Sequence, residues 1–209
     1  MKVQKNSVNL DVIKQWLGNG SINVFGLPFS GKDTHGHSLA KVLDGQLIGG
    51  GEIIRSVSAP QHMKDHIATG ELTPTNEYLD LVLPYLFQPK YANQPLVLSS
   101  VGRWHGEESS VVEAADRSGH PIKAVIYLKI DPTEARRRHD LSVKSGDRGL
   151  RGEDAIDVLD KRFDEFKQKT LPVIEYYRHK GLLIEIDGKP PISSVSQAIL
   201  NQLSMKAQS

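Results

Sequence analysis

Five short runs decide what this chain can fold into: "SINVFG", "GQLIGG", "PLVLSS", "KAVIYLKI" and "LLIEIDG". Each is apolar on both parities instead of alternating apolar with polar residues. Successive strand residues point to opposite faces, so such a run belongs to a strand covered on both sides. The segments between the runs have apolar residues at helical spacing. They predict helices over 32–42, 76–87, 107–118, 133–143, 153–169, 170–180 and 192–205. In the second of these Leu79, Leu83 and Leu86 share a face, and Pro84 should kink or end the helix. An opening amphipathic helix over 10–17, stopped by Gly18, should pack on the same core. Strands alternating with helices predict an α/β fold, a five-stranded parallel sheet with helices on both faces. No repeat, low-complexity tract or linker interrupts the pattern, so one domain is expected.

Composition removes several classes of function. Lysine plus arginine number 26 against 25 acidic residues, which gives no bulk attraction to nucleic acid or to an acidic membrane surface. With no cysteine there is no disulfide, thiolate catalysis or zinc–cysteine site. The opening "MKVQKNSVNLDVIKQWLG" lacks the apolar stretch and small-residue cleavage site of a signal peptide, and no run approaches a membrane-spanning length. The expectation is a cytoplasmic protein.

The segment between the first strand and the first long helix carries chemistry. "GLPFSGKDT" sets Gly26 and Gly31 five positions apart and Lys32 directly after them. A strand, a glycine-rich loop and a helix in this order make a phosphate-binding loop. The glycines let backbone N–H groups turn inward, the helix N-terminus adds partial positive charge, and Lys32 can reach the β- and γ-phosphates of a nucleoside triphosphate. Asp33 takes the position where most such loops place a metal-binding hydroxyl, and Thr34 follows one residue late.

That late hydroxyl, together with Pro28, resembles the Gly-x-Pro-x-x-Gly-Lys-Gly-Thr loop of the adenylate kinase and nucleoside monophosphate kinase family. Phe29 and Asp33 replace small residues. The resemblance continues along the chain. "GGGEIIR" is similar to the family's Ser-Thr-Gly-Asp-x-x-Arg through Gly51, Glu52 and Arg55, with Gly50 in place of threonine. "TGELTP" resembles the segment in which Leu72 and the Thr73 backbone would line the acceptor base. "SSVGRWHGEE" stands where the family has Asp-Gly-Phe-Pro-Arg and then a glutamine that reads adenine. Arg103 matches the arginine. Ser99 replaces the aspartate that helps to order the magnesium shell. Glu107 replaces the glutamine, and it either reads the acceptor base with acceptors alone or merely caps a helix. "RGEDAIDVLDKR" matches the family's lid exit through Arg151, Glu153, Asp154 and Arg162.

The resemblance implies a P-loop NTPase-type sheet formed by 21–48, 95–140 and 153–205. It adds an acceptor-binding insert over about 49–90 and a short lid over about 142–152, whose Gly146, Gly149 and Gly152 would let it close. It implies phosphoryl transfer from magnesium ATP to a nucleoside monophosphate, AMP first among the candidates, by a monomer. Lys32, Arg103, Arg151 and Arg162 would be catalytic. Gly26, Pro28, Ser30, Gly31, Lys32, Asp33 and Thr34 would hold ATP, with Arg137, Arg138 or His139 against the donor base. Gly51, Arg55, Leu72, Thr73, Arg103, Glu107, Arg151 and Arg162 would hold the acceptor. Phosphates and water would carry Mg2+, with Thr34 the one direct protein candidate. Two alternatives stand beside this reading. Phe29, Asp33, Gly50 and Ser99 would also suit a catalytically impaired nucleotide binder, and Glu107 would also suit a kinase for GMP, CMP or another small metabolite.

Overall fold

The structure is a computed structural model that describes residues 9–56, 58–146 and 155–209. Five parallel strands form one sheet in the order β2 (Gln46–Gly49), β3 (Leu96–Ser99), β1 (Ser21–Gly26), β4 (Ile122–Lys129) and β5 (Leu183–Asp187). All five coincide with the apolar runs. The expected α/β architecture is therefore the observed one.

The sheet faces explain why the runs of the three central strands do not alternate, whereas the edge strand β5 does alternate, exposing Glu185 and Asp187. Ile22 and Val24 of β1, Val97 of β3, and Ala124, Ile126 and Leu128 of β4 enter one core with Ile13 and Leu17 of α1 (Leu10–Leu17), Leu39 of α2 (Lys32–Val42) and Ile199 of α10 (Ile192–Gln208). Their neighbours Phe25, Leu96, Leu98 and Val125 enter a second core with Val111 of α6 (Glu108–Arg117), Leu159 of α8 (Ile156–Glu165) and Tyr177 of α9 (Leu171–His179). A strand feeding two cores has no face left for solvent.

Local chemistry sets the helix ends. Asn9 caps α1, its Oδ1 accepting from the Asp11 and Val12 N–H groups at 3.1 and 3.3 Å. Asp131 caps α7 (Pro132–Ser145) by accepting from Glu134 N at 2.8 Å, and Gly146 ends that helix at φ 70°. The helix predicted over 76–87 stops as α5 (Thr75–Val82) and continues as a 3-10 turn through Pro84. Two further helices, α3 (Gly50–Arg55) and α4 (Gln61–Ala68), lie where hydrophobic spacing predicted none, although the resemblance of "GGGEIIR" implied a helix opening there. The helices predicted to meet at 169 and 170 are joined by a π turn, Phe166–Thr170. The expected start of α8 at 153 and most of the expected lid lie outside the described residues.

Strand order locates the site. After β1 the chain crosses to β2 on one side of the sheet; after β3 it crosses over β1 to β4 on the other side. Ligands of open α/β sheets bind where such connections diverge, at the carboxyl ends of the strands. Here that point lies between β1 and β3, whose Val24 and Ser99 are paired.

Candidate active site

The loop after β1 turns tightly around Gly26. A Cβ there would overlap the Ser30 hydroxyl and sit 2.9 Å from the Leu128 carbonyl oxygen. The Ser30 N–H donates to the Leu27 carbonyl at 3.0 Å. Phe29 and Gly31 take left-handed backbone at φ 63° and 91°, and Gly31 opens α2 with no side-chain cap. No side chain caps the N-terminus of α2, the end of a helix that favours an anion. Ser30 is fully buried, and its Oγ has no hydrogen-bond partner among the described residues. His35 lies beneath the loop with Nδ1 3.1 Å from Ser196 Oγ. Burial, and then the charge of Arg138, lowers its pKa, so the ring is neutral at pH 7.

The three candidates for the donor base have different fates. Arg138 braces the loop from behind: it donates to the Ser30 carbonyl at 3.3 Å, to the Gly188 carbonyl at 2.6 Å and to Glu134 at 2.7 Å. These bonds engage the edges of the guanidinium, so Arg138 braces the loop and its planar faces are not used by them. Arg137 is exposed and paired with Glu134. His139 is buried with its ring edge-on to Phe29, centroids 5.2 Å apart. Arg138 and His139 thus both touch the phosphate loop.

Four cations converge in front of the loop. Lys32, Arg55 of α3, Arg103 of the loop after β3 and Arg162 of α8 line one cleft, together with Gly26, Pro28, Gly51 and Leu72. The same four line an adjoining space that also takes in Asp33, Glu52 and Ser99. Arg151, the remaining predicted catalytic residue, lies outside the described residues.

The loop carrying Arg103 is held from three sides. The Tyr78 hydroxyl donates to the Ser100 carbonyl and accepts from the Gly102 N–H, each at 3.3 Å. Burial pushes that phenol up to about 12, so it stays protonated. Thr170 of the π turn donates to the Arg103 carbonyl at 2.9 Å. Glu107, only 2% exposed, accepts from the Trp104 N–H at 3.0 Å. Glu107 lines neither cavity. Burial raises its pKa against the pull of the N–H groups and of Arg103. The expectation that Glu107 reads the acceptor base is corrected: its carboxylate is turned into its own loop.

The chain resembles known proteins along most of its length. It is 28% identical to the adenylate kinase of Dehalococcoides mccartyi strain BAV1 over 206 residues, covering 85% of this chain and 95% of that protein. It is 27% identical to that of Azobacteroides pseudotrichonymphae, with 88% and 96% covered, and 26% identical to that of Thermococcus sibiricus, with 86% and 92% covered. No protein-family model matches it. Over most of its length the chain is thus similar to adenylate kinases.

Its departures from the adenylate kinase signatures are locally matched. Gly50 replaces a threonine, and the Tyr78 hydroxyl fills the place its Cβ would need. Ser99 replaces an aspartate, and its hydroxyl donates to Asp33 at 2.6 Å. Oxygen donors of this kind suit a hard divalent cation. Thr34, the expected hydroxyl, is exposed on α2 and lines neither cavity. On the acceptor side Leu72 lines the cleft, and its N–H is held by Glu165 at 3.0 Å. Thr73 is 3% exposed, and its Oγ1 has no partner among the described residues. Glu165, Phe166 and Thr170, which sequence reasoning missed, form another wall of the cleft.

Proposed function

We propose that this chain transfers the γ-phosphoryl group of ATP to the phosphate of AMP, giving two molecules of ADP. The convergence of Lys32, Arg55, Arg103 and Arg162 on one cleft beneath the phosphate loop carries the reading. An oxygen of the acceptor phosphate attacks the γ-phosphorus, and the bond to the β,γ-bridging oxygen breaks. The protein supplies no nucleophile. It holds attacking and leaving oxygens in line and neutralises charge on the equatorial oxygens. Lys32 follows the moving group, Arg55 and Arg103 grip the acceptor phosphate with their planar forks, and Arg162 faces the transferring phosphoryl, with Arg151 as its partner from the lid.

Mg2+ enters with ATP, and when bound it adds charge neutralisation at the β- and γ-phosphates. Asp33 and Ser99 are the oxygen-bearing groups placed to hold it through its water shell. AMP is the acceptor because the relatives are adenylate kinases and because Glu107, the residue that argued for another base, does not reach the cleft. The insert over 49–90 holds the acceptor and the segment over 142–152 is the lid. No helix among the described residues is long and apolar enough to cross a membrane; in this reading the enzyme is cytoplasmic and binds its two nucleotides as a monomer.

The test is product formation from magnesium ATP against AMP, GMP, CMP, UMP and dTMP, with ATP alone and Lys32→Ala as controls. AMP should give strong turnover, and Lys32→Ala should lose on the order of a hundredfold or more, the scale of removing one charge-stabilising donor from a transition state. Turnover confined to GMP or CMP would move the acceptor. Silence with every acceptor, with ATP still bound, would leave a nucleotide binder.

A further inference from the structure

Two departures at the metal side of the cleft form a single exchange. In P-loop NTPases the cation on the β- and γ-phosphates is held from two elements, a hydroxyl opening the helix after the loop and a carboxylate on a strand. Here Asp33 lies in the first turn of α2 and Ser99 ends β3, next to β1 in the sheet. Against most phosphate loops the carboxylate and hydroxyl have changed sides, and here they meet: Ser99 Oγ donates to Asp33 Oδ1 at 2.6 Å. A hydrogen bond to a charged acceptor at that length fixes the carboxylate's orientation. Both residues line the same space as Lys32.

A favourable interaction with the helix dipole would account for an aspartate in the first turn. It would not account for a serine on another strand aimed at that aspartate inside the nucleotide cleft. Electrostatics add a further constraint. A carboxylate beside a polyphosphate is repelled unless a cation lies between them.

We infer that Asp33, oriented by Ser99, supplies from the helix the carboxylate that the family takes from the strand, and that it holds the hydrated Mg2+ accompanying ATP. Asp33 is thus the metal-positioning residue and Ser99 positions Asp33. The inference rests on the kinase reading above.

The experiment is a titration of Mn2+ into the full chain with a non-hydrolysable β,γ-imido analogue of ATP, with free Mn2+ read by electron paramagnetic resonance. Asp33→Asn should weaken Mn2+ binding to the protein–analogue complex by on the order of tenfold or more, the usual cost of removing a group that orients a metal shell. Binding of the metal-free analogue should be unchanged or tighter, because a repelling charge is gone. Ser99→Ala should give a smaller loss in the same direction. The double variant Asp33→Ser with Ser99→Asp should recover most of the Mn2+ affinity, a result that a merely structural pair would not produce. If Asp33→Asn fails to fold by circular dichroism, Ser99→Ala and the double variant decide. Unchanged Mn2+ affinity in the folded variants, with the analogue bound normally, overturns the exchange alone. Failure of the parent chain to bind the analogue, with or without metal, overturns the kinase reading itself.

Discussion

Gly50 has no room for a side chain, because the Tyr78 hydroxyl already stands where its Cβ would go. That hydroxyl bridges Ser100 and Gly102 and so steadies the loop that presents Arg103. Gly50→Ala should therefore cost about 1–3 kcal/mol of stability, the range for overpacking a filled site, and should lower kcat by displacing Arg103. Tyr78→Phe removes the oxygen that the new methyl would strike. The double variant should be more stable than the sum of the single effects, a coupling that urea unfolding of the four proteins would measure. Additive losses would mean that the glycine serves only backbone freedom. Residue-level reading of the sequence reached as far as side-chain type, and there it was uneven. Lys32, Arg55, Arg103 and Arg162 were all legible and all reach the cleft. Glu107 was misread because side-chain type does not show direction: a carboxylate three residues beyond Trp104 can turn back on its own loop, and this one does.

At the scale of elements, the strands and long helices were legible because each carries its own hydrophobic period. The short helices were not. The α4 segment "QHMKDHIA" buries only Met63 and Ile67, one apolar pair, too little to register as a period, and α3 opens on two glycines that argue against a helix. The π turn was hidden by its own chemistry. Thr170-Leu171-Pro172 reads as the start of a new helix, proline being favoured in a first turn, whereas the chain continues through one widened turn. Such turns recur at functional sites, and this one has a visible task. It sets Phe166 and Thr170 in the cleft wall and lets Thr170 donate to the Arg103 carbonyl. Thr170→Val keeps the shape and removes that bond. It should cost about 1 kcal/mol in stability and lower kcat/KM for the acceptor more than for ATP. An equal effect on both nucleotides would deny the turn its role in placing Arg103.

For the whole molecule, the phosphate loop must be tied to elements far from it in sequence, and Arg138 makes that tie. From α7 it reaches Ser30 in the loop after β1 and Gly188 in the loop after β5, while Glu134 holds its other edge. The Glu134 carboxylate, bonded first by Arg137 and then by Arg138, is held down at about 2 against an ordinary value of 4.5. A carboxylate depressed on folding contributes stability that is fully present above its unfolded value and is lost as the pH falls through its folded value. The loss therefore belongs to the window from 4.5 down to about 2, and neutral pH leaves the contribution intact. Glu134→Gln should flatten the acid limb of stability in that window, as urea unfolding at a series of pH values would show. Near pH 7 the same variant should raise KM for ATP more than KM for AMP, because loosening Arg138 frees the donor loop and leaves the acceptor arginines in place. An acid limb identical to that of the parent chain would place the acid sensitivity elsewhere. A KM effect shared equally by both nucleotides would mean that Arg138 secures the whole cleft and not the phosphate loop in particular.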